Sequence, residues 1–282
     1  MPRQGTMMTI ARRLGPIALA ALLLATIVPI VAAADDLTVA GAEAKVAGLL
    51  NDQRQAIGRV VHRRDARLAA IARGRSEDMA SKGYFSHQEP DGDWAWDLMS
   101  DAGIRWFGAG ENIAWNTHGT LSESASAVSR QWHDSSGHYK LLTSADYNYF
   151  GIGLAVDGSG KKIWTAIFMK GPDRTGAWAK FRTDSNASAD TVSTASSGAR
   201  RRVRIEWKGA DRRLQVLTAG FASYQVQKRR PGVTAWTTVY SATTRDGMVR
   251  RLLKGQLYEY RIRARDKKGN VGEWSRSLFI RP

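Results

Sequence analysis

Between positions 183 and 198 the chain reads Thr-Asp-Ser-Asn-Ala-Ser-Ala-Asp-Thr-Val-Ser-Thr-Ala-Ser-Ser-Gly, and Val192 is its one aliphatic side chain larger than alanine. Such a run cannot bury enough apolar surface to offset its ordering entropy, so 183–198 reads as a flexible linker. On one side of it, hydrophobic spacing mixes helical and strand periods; on the other, only strand periods occur. Charge divides at the same place. Residues 35–198 hold 18 Lys and Arg against 20 Asp and Glu, whereas residues 199–282 hold 21 against 6. A positive field confined to one half implies different partners for the two halves.

Arg3, Arg12 and Arg13 precede an almost wholly apolar run from Ile17 to Val31, and Ala32-Ala33-Ala34 supplies a small-residue cleavage site before Asp35. That order is the order of a signal peptide, here 1–34. An uncleaved anchor is the competing reading, since the run is nearly long enough to span a bilayer. Pro16, Pro29 and the small residues favour cleavage, and no other stretch is apolar enough to cross a membrane. The mature chain is thus expected to be secreted, and not transmembrane after cleavage. It contains no cysteine, so its domains must stand on packing alone, a habit more typical of bacterial export than of animal or plant secretion.

Ala42, Val46, Leu49, Leu50 and Ile57 recur at helical steps. Asp65 reads as the N-cap of a second helix carrying Leu68, Ile71, Ala72 and Met79, ended by Gly83. A short helix is expected from Trp94 to Ala102. Thr120-Leu121-Ser122-Glu123 is a capping box opening another, with Leu121, Ala125, Val128 and Trp132 on its apolar side. Phe150–Val156 and Lys162–Met169 read as a hairpin across Asp157-Gly158-Ser159-Gly160. Beyond the linker, strands are expected at 203–207, 224–227, 236–240, 258–264 and 275–280.

The chemistry concentrates in Tyr84-Phe85-Ser86-His87, Gly110-Glu111-Asn112-Ile113 and Trp132-His133-Asp134-Ser135-Ser136-Gly137-His138. His87 and His138 are candidate ligands for Zn²⁺ or another divalent metal, and Glu111 a candidate base on a bound water. The alternative is a polar groove in which the histidines bond to Glu111, and Glu111 takes loop N–H donors and holds His138. Asn112 is expected to line the groove or to pin a turn. His62 and His118 lie in polar surroundings and carry no assignment, and His133, one past Trp132, is expected to face solvent. Ser86 beside His87 does not suggest a triad, because neighbouring side chains on an extended segment point apart. Trp94, Trp96, Trp106 and Trp115 fall on or beside the same loops.

Together with Leu49-Leu50-Asn51-Asp52-Gln53-Arg54 and Gly151-Ile152-Gly153, these strings make residues 35–182 resemble the CAP superfamily of cysteine-rich secretory, antigen 5 and pathogenesis-related proteins, in its cysteine-free bacterial branch. The resemblance implies an α+β fold, an α-β-α sandwich with an open groove, and a groove set of two His and two acidic residues. His87, Glu111 and His138 match three of them; the fourth position falls on Ala127. Glu123 lies one turn away on the same helix face, where its capping box is the more economical use.

Residues 199–282 resemble an all-β fibronectin type III-like sandwich through Leu252-Leu253-Lys254-Gly255-Gln256-Leu257-Tyr258-Glu259-Tyr260 and Trp274, with Trp207 as core tryptophan and Tyr258 bonding backbone upstream. Arg261, Arg263 and Arg265 alternate with apolar residues and so share one exposed face. Such a face should attract anionic cell-wall polymers or lipid head groups, and no motif for sequence-specific nucleic-acid reading is present.

The sequence therefore predicts a secreted, envelope-associated protein. Its groove would bind a small lipid or wall-fragment ligand, with a basic module as tether. Metal-assisted hydrolysis at the envelope, protease-like, is the alternative.

Overall fold

The computed structural model describes residues 37–182 and 200–282, so the expected leader 1–34 and linker 183–198 lie outside the described residues. The first half contains α1 (Val39–Ala56), β1 (Arg63–Arg64), α2 (Ala66–Lys82), α3 (Ala95–Asp101), β2 (Gly108–Asn116), α4 (Leu121–Asp134), α5 (Ser136–Thr143), β3 (Tyr149–Val156) and β4 (Lys162–Lys170). Its sheet runs in the order β1-β3-β4-β2, which leaves β2 at one edge. No described helix is long and apolar enough to cross a membrane.

Strand alternation sorts this sheet into two faces. Phe150, Ile152, Leu154, Trp164, Ala166 and Phe168 pack with Val46, Leu50, Val128 and Trp132 of α1 and α4. On the other face Tyr149, Ile167 and Met169 pack with Leu68 and Ala72 of α2 and Met99 of α3. The result is an α-β-α sandwich.

Its closest approach explains the Gly151-Ile152-Gly153 string. A Cβ on Gly151 would lie 2.2 Å from the Leu68 carbonyl carbon, and one on Gly153 would lie 2.1 Å from the Arg73 nitrogen. Both are backbone atoms of α2, so only glycine lets the helix rest on β3.

The helix ends obey local chemistry. Asp65 accepts from the Arg67 and Leu68 N–H groups, and Gly83 closes α2 at φ 73°. Thr120 accepts from Glu123 N while Glu123 accepts from Thr120 N, the reciprocal pair expected at the start of α4. Ile57, expected on the apolar face of α1, sits just past the helix end and is exposed.

In the second half, β5 (Trp178–Phe181), β6 (Arg200–Ala210) and β9 (Gly247–Leu253) form one sheet. Facing it, β11 (Leu278–Ile280), β10 (Tyr258–Asp266), β7 (Phe221–Arg229) and β8 (Thr237–Thr243) form the other. Val203, Ile205 and Trp207 meet Val226, Tyr260 and Ile262 between the two sheets. Strand β5, within the expected first-domain span 35–182, pairs with β6. Trp207 is fully buried, and the Tyr258 hydroxyl accepts from Leu253 N upstream.

The halves join through side chains of both. Leu214 enters the α2 and α3 cluster, and Gln215 accepts from Val60 N and from the Arg54 guanidinium. Asp173 accepts from Ala219 N, and Asn270 donates to the Asp173 carbonyl.

Candidate functional site

Arg75 organises the site. It lies on α2 in register with Leu68, Ala72 and Met79, a charged residue inside an apolar stripe, and its side chain is fully buried. Its Nε donates to Glu111 Oε1 at 3.2 Å, Nη1 to Tyr84 Oη at 2.8 Å and to Glu89 Oε1 at 2.9 Å. Nη2 donates to the carbonyls of Ser86 at 2.8 Å and His87 at 3.0 Å. One guanidinium thus fixes the whole Tyr84–Glu89 segment to strand β2. Burial opposes its charge, but Glu111 and Glu89 more than offset this and hold it above its ordinary pKa.

Glu111 is on β2, its side chain almost wholly buried, and its second oxygen meets His87 Nδ1 at 2.7 Å. Its partners are therefore Arg75 and His87. The expected loop N–H donors and the expected hold on His138 are not what it makes. His87 remains half exposed at 45 % of its side chain, with its Nδ1 side turned to Glu111.

Asn112 corrects the expectation of a turn or a groove contact. It sits in mid-strand opposite Ala166, is buried, and donates to the His138 carbonyl at 3.1 Å. Alternation sends Asn112 to the opposite face of β2 from Glu111, where it anchors α5. Gly110 assists, since a Cβ there would lie 2.6 Å from Leu141 of α5. His138 thus arrives from the α4–α5 side and His87 from the α2 side. Burial first, and the charge of His87 second, lower the His138 pKa.

The open edge of β2 floors a cleft of about 560 Å³. Phe85 walls one side, Trp132, Ser135 and His138 the other, with Ile113 and Trp115 along the strand. Trp115 is 47 % exposed here, so the aromatic edge of the cleft is available to a ligand. Trp94 and Trp96, by contrast, stack on each other with centroids 4.9 Å apart.

Residues 48–168 match the family model described as "CAP: Cysteine-rich secretory protein family". That stretch is a CAP domain. Two Bacillus subtilis proteins resemble it. The uncharacterized protein YkwD is 35 % identical over 132 residues, which is 47 % of this chain and 48 % of YkwD. The uncharacterized membrane protein YlbC is 34 % identical over 106 residues, 38 % of this chain and 28 % of YlbC. The chain thus spans about half of the one relative and less of the other. An extracellular protein containing a SCP domain from Bacillus anthracis superposes with a TM-score of 0.42 at 27 % identity, covering 46 % of this chain and 41 % of that one. An outer surface protein of Borrelia burgdorferi gives 0.43 at 13 %, covering 48 % and 97 %.

Within the CAP domain, Ala127 is buried on α4 and brings no ligand atom. Glu123 is held in its capping box. Glu111 is 2 % exposed with its oxygens turned to Arg75 and His87, which leaves two imidazoles as candidate donors. Resident zinc takes three or four protein ligands, so this set does not fit it. Among the described residues, three possible ligand atoms within 4.8 Å of one another occur instead at Asp173, Asp211 and Asp266. Those carboxylates accept from Thr175, Ala219, Gly220 and Asn270 and knit the seam between the halves.

His62 was expected in a polar setting. It is buried, with its ring 5.7 Å from Phe150 and 5.6 Å from Phe168, and neither ring nitrogen has a hydrogen-bond partner. His133 stays at the surface beside Asp134, and His118 offers its carbonyl to Lys162.

Proposed function

We propose that this is an exported, envelope-associated protein whose CAP domain binds an amphipathic ligand, a lipid or a wall fragment, in the cleft along β2. The observation that carries this is the composition of the cleft: Phe85 and Trp115 present exposed aromatic surface, with buried Ile113 and Trp132 behind them, while His138, His118 and Gln131 offer polar contacts. Concave, mostly apolar sites with a few converging polar groups are where such ligands are held. The basic second half, net positive by its 21 Lys and Arg against 6 acids, acts as the tether to anionic envelope polymers or head groups.

Hydrolysis is the weaker reading. A general base needs room for a water beside it, and the Glu111 side chain is 2 % exposed, with its oxygens turned to Arg75 and His87. We therefore assign Glu111 to positioning His87.

Titrating the full mature chain with a dansyl-labelled long-chain fatty acid tests the cleft. Saturable uptake is expected, weakened about tenfold in Trp115→Ala, as loss of an aromatic anchor commonly does. No saturable uptake, or equal uptake by the variant, would refute it. Metal content of the purified chain supplies the complementary measurement: wild type and His138→Ala should both carry far less than one equivalent.

A further inference from the structure

The second half holds a cleft of its own. It has a volume of about 400 Å³ and opens where the two β-sheets part, at the end of the sandwich remote from the CAP domain seam. Arg200 of β6 and Arg251 of β9 enter from one sheet, and Lys228 and Arg229 of β7 from the other, with Arg230 just beyond β7. Five cations line it and no acidic residue does.

Like charges gathered in a concavity repel one another, and folded proteins normally relieve this by interleaving carboxylates. Here only Arg229 has that relief, since Glu259 accepts two bonds from it and one from Ser277. Arg200, Lys228, Arg230 and Arg251 have no ion pair among the described residues. Tyr258 adds a neutral donor. Its hydroxyl accepts from Leu253 N, which leaves its own proton free to point into the cleft it lines.

We propose that this cleft binds a phosphoryl group. A tetrahedral anion with several oxygens can accept from guanidiniums, an ammonium and a hydroxyl arriving from different strands. A flat carboxylate, with two oxygens in one plane, matches one guanidinium fork and reaches fewer of the others. The Leu252 and Leu253 side of the cleft is apolar, so a phosphodiester with a carbon backbone fits better than bare inorganic phosphate. The proposal deepens the tethering reading by replacing a diffuse positive face with one defined site.

The test uses the full mature chain with two probes, soluble long-chain polyphosphate and vesicles containing phosphatidylglycerol. The pair Arg230→Gln and Arg251→Gln removes two exposed cleft cations. The pair Lys267→Gln and Lys268→Gln makes the same charge change at the far end of β10, outside the cleft. With the probe that binds tighter, the cleft pair should weaken binding about tenfold, as lost charge contacts in a concave site do. The distal pair should weaken it by less than about threefold, as screened charges do. Unaltered unfolding midpoints should accompany both. Equal losses from the two pairs overturn the cleft while leaving a diffuse tether intact. Absence of saturable binding to either probe overturns the cleft and the tether together.

Discussion

Replacing Arg75 by alanine is expected to cost about 3–5 kcal/mol of stability, the range for removing one partner of a buried ion pair. The change strands Glu111 and Glu89, both paired to the guanidinium, and takes the donors from the Ser86 and His87 carbonyls. Desolvated carboxylates without a cation are more costly than the pair was favourable, which is why truncation should hurt more than the net worth of the bridge suggests. The groove should fail before the core does. With the Tyr84–Glu89 segment released, His87 loses its place beside Glu111, although the α1 and α4 side of the sheet is untouched. Denaturant unfolding followed by tryptophan fluorescence gives the energy, and the His87 imidazole resonance gives the local effect. Arg75→Lys should recover only part of the loss, since one ammonium cannot reach Glu111, Glu89, Tyr84 and two carbonyls together. A loss below about 1 kcal/mol, the size of an ordinary surface pair, would mean that Arg75 does not hold the site.

Much of this architecture was legible before any coordinates. Period and caps located α1 to α4, because Asp65, Gly83 and the Thr120–Glu123 box state where helices begin and stop. The β3–β4 hairpin followed from a turn between two apolar runs. Strand β2 escaped because Gly-Ala-Gly-Glu-Asn lacks alternation; its residues answer to three neighbours, Leu141, Arg75 and the His138 carbonyl, and to no single solvent face. Asn112 was misread for that reason. Arg75 left a usable signal, a cation in the 68-72-75-79 stripe, as did Arg54 in the stripe of α1, where it donates to the Val60, Leu142 and Ser144 carbonyls. A charge on a buried stripe announces that distant partners exist, but not which ones. The pairing of β5 with β6 was hidden because it joins segments on either side of the 183–198 run, and sequence spacing cannot report a contact across such a gap.

His62 carries the second large effect, an acid sensitivity of the CAP domain. Burial against Phe150 and Phe168 first, and the Arg54 charge second, lower its pKa to about 3 from 6.5. In the unfolded chain the imidazole takes its proton near the ordinary value, so between those limits the unfolded state binds more protons than the folded one. Stability then falls as pH falls, starting below about 6.5 and levelling once the folded form also protonates near 3. The slope is at most about 1.4 kcal/mol per pH unit, and across the window it reaches a few kcal/mol, a substantial part of the 5–15 kcal/mol that typically holds a domain together. His62→Phe isolates the effect from the carboxylates that titrate in the same range. Neither ring nitrogen makes a hydrogen bond of normal geometry and only the Tyr147 backbone favours the charged ring, so phenylalanine forfeits little polar contact there, and the aromatic contacts with Phe150 and Phe168 persist. The variant should match or exceed wild type at pH 7 and pull ahead steadily as the medium is acidified to pH 4. Parallel stability curves for the two proteins would mean that the imidazole is reached by water or by an acceptor in the folded state.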